Sequence, residues 1–220
     1  MKTKSTVAII GSTGNMGAAI AKSLVKGRDR LLLFGRDEAK LNALHKDIHA
    51  LNSEADVAAI GCSKDASWEA DIVILAVPYA AEAAVAEEIK PYVTQKIVIS
   101  ISNPMNETFD GMVTPADSSA AQELQKLLPD AQVVKAFNTT YAANFTEPVI
   151  AGKPADAFVA GDNKQAVQTV VELMESMGLH PMMAGGLAVS HTLEHMQLLL
   201  IQLTVKNNYN WHAGWKILHN

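Results

Sequence analysis

The stretch TVAIIGSTGNMGAAI, residues 6–20, constrains the fold of this chain more than any other. A short apolar run, Thr6–Ile10, empties into Gly11, Gly14 and Gly17 at three-residue spacing. Met16, Ile20 and Leu24 then recur at helical spacing on one face. The pattern predicts a strand, a tight turn and a helix, with a separate task for each glycine. One lets the chain turn sharply, one lets backbone approach a pyrophosphate, and one lets helix pack on strand. The free N–H groups and positive dipole end of the helix would face that phosphate. The spacing is G-x-x-G-x-x-G rather than the commoner G-x-G-x-x-G, a departure in the direction of NADP-binding enzymes.

Strand-like and helix-like segments alternate along the rest of the chain without a long linker or an internal repeat. Residues 31–34, 57–60, 71–78, 96–104 and 132–137 read as further strands, and 37–50 and 118–128 as helices between them. Asp71–Pro78 is continuously apolar after its first residue, as suits a parallel strand covered on both faces. The expected architecture is an α/β, doubly wound Rossmann sheet in the order 3-2-1-4-5-6, with ligands at the carboxyl ends of its strands. Residues 1–150 form this nucleotide-binding domain in our reading. Residues 151–220 form a small C-terminal α/β portion: a strand at 156–161, a helix at 163–177, a strand or loop at 180–186, and a long helix at 187–206. That helix is so apolar, with Leu198, Leu199, Leu200 and Ile201 in succession, that it is expected to be buried nearly all round, inside the subunit or against another. A homodimer follows from the second possibility.

Composition narrows the function. The net charge of −5 gives no basis for a nucleic-acid surface. One cysteine, Cys62, permits no intrachain disulfide, zinc ribbon or Cys-x-x-Cys redox pair. The longest apolar stretches are interrupted by Glu82 or Gln202, short of the roughly 18 residues of a membrane span. No signal-peptide pattern opens the sequence, and a cytoplasmic location is expected.

The end of the second strand reads Phe34-Gly35-Arg36-Asp37. A carboxylate here would bind the ribose 2′-OH of NAD and repel a 2′-phosphate. Gly35 leaves space where that acid would sit, and Arg36 can stack on adenine while pairing with the phosphate. Such a charge-assisted bond contributes about 1.5–3 kcal/mol. Lys40, one turn on, can assist. The competing reading makes Arg36 a solvated charge and Asp37 the acid or a helix cap. Val77-Pro78-Tyr79 and Ser102-Asn103-Pro104 close two further strands, and proline there frees backbone groups to face a ligand.

Three apparent motifs carry little. His191-Thr-Leu-Glu-His195 has the spacing of an inverted zinc-protease site but sits on the late apolar helix, so no metal site is assigned. Tyr92 and Lys96 match a Y-x-x-x-K pair, yet Lys96 opens a strand. His45 and His49 lie on a polar helix face. No general acid–base set for reducing a carbonyl is visible, and no catalytic residue is assigned. That absence suits a hydride acceptor whose electronics sit in its own ring, such as a flavin or deazaflavin, which needs mainly positioning.

Four stretches together resemble the NADPH:deazaflavin oxidoreductases, which use coenzyme F(420), and the related soluble domain of the STEAP ferric reductases. They are Gly11–Gly17, Gly35-Arg36, Val133-Val-Lys-Ala-Phe-Asn-Thr139, and Ala184-Gly-Gly-Leu187 with Glu194 following. The resemblance implies NADP(H) binding and hydride transfer to a flavin-like co-substrate. It implies coenzyme contacts at Thr13, Asn15, Met16, Arg36, Val77 and Pro78, and an acceptor ring near Asn103, Asn138 and Thr139. Two other readings stay open: an imine or β-hydroxyacid reductase of the pyrroline-carboxylate type, and a non-catalytic NADP(H) sensor.

Overall fold

The structure, a computed structural model, describes residues 4–219. Its first half alternates β1 (Thr6–Ile10), α1 (Asn15–Leu24), β2 (Arg30–Phe34), α2 (Glu38–Leu51), β3 (Val57–Ala59), α3 (Ser63–Glu69), β4 (Ile72–Leu75), α4 (Tyr79–Ile89) and β5 (Ile97–Ser100). Then come α5 (Ala120–Leu127), β6 (Gln132–Lys135), α6 (Ala142–Thr146) and a small hairpin of β7 (Val149–Ile150) and β8 (Lys153–Pro154). The chain ends with β9 (Asp156–Gly161), α7 (Lys164–Ser176), β10 (His180–Gly185) and α8 (Ser190–Asn207).

Eight strands form one sheet in the order β10-β9-β6-β5-β4-β1-β2-β3. The first six therefore take the predicted 3-2-1-4-5-6 order, all parallel. The strands after residue 150 extend the same sheet: β9 pairs antiparallel with β6, and β10 pairs parallel with β9. Alternate residues feed the two faces. Val7, Ile9, Leu31, Leu33, Ile74 and Ile99 pack beneath α1, α2 and α7, while Ala8, Ile10, Leu32, Val73, Leu75 and Val98 pack beneath α3, α4 and α5. Each fully buried aliphatic chain contributes about 1.5–3 kcal/mol, so both faces must be covered.

The strands stop earlier than their apolar runs. β4 ends at Leu75, β5 at Ser100 and β6 at Lys135, not at Pro78, Pro104 and Phe137. These terminal residues lie side by side, Leu75 opposite Ser100 and Ser100 opposite Lys135. Beyond them the neighbours turn away, and Phe137 adopts a left-handed φ of 64° that breaks the ladder. Ser119 caps α5 by accepting from the Gln122 amide at 3.1 Å, which moves that helix start from 118 to 120.

The final helix corrects its sequence reading. Residues 187–189 form a separate short 3₁₀ turn, and α8 begins at Ser190. It is not covered all round within the chain: Leu199, Leu203 and Val205 are exposed. Its covered face instead carries Ser190, Glu194, Gln197 and Thr204 besides Leu193, Leu198 and Leu200. Glu194 and Thr204 go inward because buried partners, Lys135 and Tyr141, await them. Among the described residues no helix is long and apolar enough to cross a membrane.

Candidate functional site

The glycine turn leaves β1 in the predicted geometry. Gly11 has φ 89°, and a Cβ there would lie 2.4 Å from the Ala76 carbonyl oxygen, so only glycine fits. A Cβ at Gly17 would lie 2.3 Å from the Gly11 carbonyl oxygen, which fixes how closely α1 packs on the turn. Gly14 differs, because a Cβ there meets nothing closer than 3.4 Å. The protein's own packing does not demand glycine at this position. Gly14 is also the N-terminal cap of α1, with no side chain bonded to the first turn. The amides of Asn15, Met16 and Gly17 thus begin a helix with no intrahelical acceptor, the arrangement that holds a phosphate.

The Gly11 and Ser12 amides both donate to the Phe34 carbonyl at 2.9 Å, which ties the turn to the end of β2. One expectation changes here. The space at Gly35 is filled by Thr13, whose side chain comes within 2.6 Å of where a Cβ would stand. Gly35 is small to admit Thr13, and an acid there would collide with it. Asp37 caps α2, accepting from the Lys40 amide at 3.0 Å, and lies 3.7 Å from the Lys40 ammonium. Lys40 is therefore shared with Asp37, whereas Arg36 is exposed and, among the described residues, makes no ion pair or hydrogen bond. The residues at this strand end suit a 2′-phosphate better than a 2′-hydroxyl, since the Asp37 carboxylate is engaged in capping.

A cavity of about 670 Å³ opens from the glycine turn across the ends of β4, β5 and β6. It gathers Gly14, Asn15, Met16, Val77, Pro78, Tyr79, Asn103 and Asn138 from the predicted set. Gly11, Thr13, Gly17, Gly35, Arg36 and Lys40 lie outside its lining. Pro104 is buried off the cavity. Thr139 turns into the sheet, its hydroxyl accepting from the Phe158 amide at 3.4 Å.

Asn103 and Asn138 lock to each other. The Asn138 side-chain amide donates to Asn103 Oδ1 at 2.9 Å and to the Leu193 carbonyl at 3.1 Å, and Asn103 donates to the Asn138 carbonyl at 3.0 Å. The left-handed Phe137 immediately before sets this direction, a strained backbone of the kind found at ligand sites. Asn138 Oδ1 and Gln197 Oε1, both buried on cavity-lining residues, accept no hydrogen bond from the described residues. An orphaned buried acceptor is costly unless a ligand donor meets it. These residues fit a pyridine dinucleotide, with its diphosphate at α1 and its nicotinamide end in the cavity.

Sequence reasoning missed the charged layer behind this wall. Lys135 is fully buried and pairs with Glu194 at 2.7 Å; its ammonium also donates to the Ser102 carbonyl. Glu194 accepts a second bond from the Ala120 amide at 3.1 Å, at the start of α5. Glu82, on α4, accepts from the hydroxyls of Ser102 at 3.1 Å and Ser100 at 3.4 Å. Burial is the main cause that raises the Glu82 pKa to about 7, against the opposing pull of Lys135. Tyr79 is raised as well, by burial and then by the charges of Glu123, Glu82 and Glu194. The signal was a lysine inside an apolar strand and a glutamate inside each of two apolar helices. His191 and His195 stack at 4.3 Å on a more open side of α8, so Glu194 is not part of a histidine–glutamate metal set.

The C-terminal aromatics divide between two roles. Trp215 packs against Phe158, Ala160 and Leu193. Trp211 is exposed at the cavity rim, edge-on to Tyr141 with ring centroids 5.3 Å apart. Phe109, from the 105–112 loop, joins the same rim, held by Gln202 of α8 donating to its carbonyl at 2.9 Å.

The sequence profile of the family described as "NADP oxidoreductase coenzyme F420-dependent" matches residues 6–104. The F420-dependent NADP reductase of Methanocaldococcus jannaschii is 30% identical over 211 residues, covering 91% of this chain and 92% of that protein. This chain belongs to the F420-dependent NADP oxidoreductase family. Metalloreductase STEAP2 of Homo sapiens is 31% identical over 109 residues, 49% of this chain and 21% of that protein, which supports the relation to the STEAP reductases. A solved structure from Arthrobacter sp. FB24 superposes with a TM-score of 0.82 at 23% identity, covering 97% of this chain and 99% of that one, and shares the fold. The glycine turn and the ends of β1, β2, β4 and β5 all lie within the stretch matched by the family profile, whereas Asn138 and Glu194 lie beyond it.

Proposed function

We propose that this chain transfers hydride between NADPH and a deazaflavin, with both rings held in the cavity across the strand ends. The observation that carries the reading is continuity: the helix N-terminus that suits a diphosphate opens directly into a 670 Å³ chamber. When bound, NADPH supplies hydride from its nicotinamide ring. The first-turn amides of α1 hold the diphosphate, and Arg36 pairs with the 2′-phosphate. Val77 and Pro78 form one wall for the nicotinamide, and the locked Asn103–Asn138 pair presents a fixed polar floor. Holding two flat rings face to face makes the transfer effectively unimolecular. The relative from Methanocaldococcus jannaschii is named for coenzyme F420, and this supports a deazaflavin as acceptor over an ordinary flavin.

Residues 151–220 complete the acceptor side through Gln197, Ile201 and Trp211. They also provide the homodimer contact, since Leu199 and Leu203 stand one turn apart on the exposed face of α8. A cytoplasmic setting fits an enzyme with one free cysteine, Cys62. Stopped-flow mixing with NADPH and a series of ring acceptors tests the assignment. Rapid NADPH oxidation with the deazaflavin is expected, and no oxidation with any flavin or deazaflavin would overturn it.

A further inference from the structure

The proposed reaction, on which this inference rests, needs a proton as well as a hydride. A deazaflavin ring that accepts hydride at carbon gains an electron pair, and a ring nitrogen must take a proton for the reduced ring to be neutral. The titratable groups in the cavity lining are Tyr79, Tyr141 and Glu107. Glu107 is exposed to solvent. The Tyr141 hydroxyl is engaged with Thr204 at 2.9 Å. Tyr79 is held above its ordinary pKa. Burial raises the Tyr141 pKa as well, so neither tyrosine is an efficient proton donor near neutral pH.

One lies directly behind the wall. Ser102 lines the cavity, and its hydroxyl is 3.1 Å from Glu82 Oε1 and 3.5 Å from the Val77 carbonyl, so it has a second acceptor to turn towards. Glu82 is 3% exposed. The buried layer contains two carboxyl groups, Glu82 and Glu194, but one ammonium, Lys135, which contacts Glu194 at 2.7 Å. A single cation balances a single carboxylate. The carboxyl group left over, Glu82, has hydroxyl groups for hydrogen-bond partners, and a buried carboxyl without a contacting cation holds its proton. The groups that face it are Tyr79 on its own helix, Lys135 from β6 and Glu194 from α8; Glu123 of α5 acts on Tyr79. Lys135 favours the charged form of Glu82, whereas Glu194 and burial oppose it.

We infer that Glu82, acting through the Ser102 hydroxyl, supplies the proton that the acceptor takes up as it is reduced. The Ser102 O–H bond breaks as the ring N–H bond forms, and Ser102 takes the Glu82 proton in the same relay. Glu82 is left as a carboxylate and regains a proton from solvent before the next turnover. The sum is one hydride and one proton added to the acceptor, and in the reverse direction the same groups take the proton back. Ser102 touches the substrate; Glu82 stores the proton behind it.

Two measurements test this. Infrared spectra of the unliganded protein, titrated across neutral pH, should show a protonated-carboxyl band that disappears with rising pH and is missing in Glu82→Gln. Rates of deazaflavin reduction by NADPH should fall at least about tenfold in Glu82→Gln and Ser102→Ala, with NADPH affinity unchanged. Wild-type rates should decline as Glu82 ionises, Glu82→Asp should keep part of both the rate and the decline, and Glu82→Gln should show a flat profile. Ser102→Ala supplies the rate test if Glu82→Gln folds poorly. Wild-type rate and pH profile in Glu82→Gln, or an infrared band that survives the substitution, would overturn the relay alone. A wild-type protein that binds NADPH and reduces no deazaflavin would instead overturn the reading beneath it, and the relay with it.

Discussion

A methyl group added at Gly17 would press on the Gly11 carbonyl at 2.3 Å, whereas one added at Gly14 meets nothing within 3.4 Å. The two substitutions should therefore separate stability from binding. Gly17→Ala is expected to cost about 1–3 kcal/mol, seen as a lower urea midpoint. Gly14→Ala should unfold within about 1 kcal/mol of wild type, and calorimetry should find its NADPH affinity sharply reduced. Equal loss of stability in both would contradict the assignment of Gly14 to the ligand. At the neighbouring strand end, Arg36→Ala should weaken NADPH binding about ten- to hundredfold and leave NADH unchanged. The glycine turn was legible in the sequence because its geometry is set locally, by backbone conformation. Gly35 was misread for the opposite reason. Its constraint comes from Thr13, twenty-two positions earlier, and pairwise contact across strands is not written in local spacing.

Among the elements, β6 and α8 carry what periodicity hid. An apolar strand with a lysine and an apolar helix with a glutamate each look like exceptions, and they become reasonable together as the Lys135–Glu194 pair. Removing one partner of a buried pair leaves an uncompensated charge, so Lys135→Met is expected to destabilise by about 3–5 kcal/mol. Chemical denaturation at neutral pH checks it. Glu82 makes a further prediction of opposite origin. Its folded pKa is raised from 4.5 to about 7, so the native state binds more protons than the unfolded chain between those values. Stability from this group is greatest below that window, falls as pH rises through it, and amounts to about 3 kcal/mol lost above it. Glu82→Gln should abolish this part of the pH dependence, measured as the difference in unfolding free energy from wild type across the window. A constant difference would contradict it. The ends of β4, β5 and β6 lie two to four residues before those read from the sequence, because apolar runs continue past the last ladder partner. Side chains at 76–78 and 101–103 serve the cavity instead of the sheet.

At the scale of the whole molecule, the strand order followed from the alternation of elements, since parallel strands joined by right-handed helical crossovers leave few arrangements. The antiparallel placement of β9 beside β6 did not follow, because nothing local marks which sheet edge a late strand joins. The exposed face of α8 belongs to this scale. Light scattering should find a dimer, and Leu203→Glu should yield a monomer; a wild-type monomer at micromolar concentration would contradict the proposed contact. The central claim is that hydride passes directly between two rings held in one cavity. Single-turnover reduction of the deazaflavin by NADPH carrying deuterium at the transferred position of its nicotinamide tests it most directly. The account predicts that the label appears on the acceptor ring carbon and that the rate falls with a primary isotope effect. Recovery of the label in solvent, or an acceptor left oxidised, would contradict it.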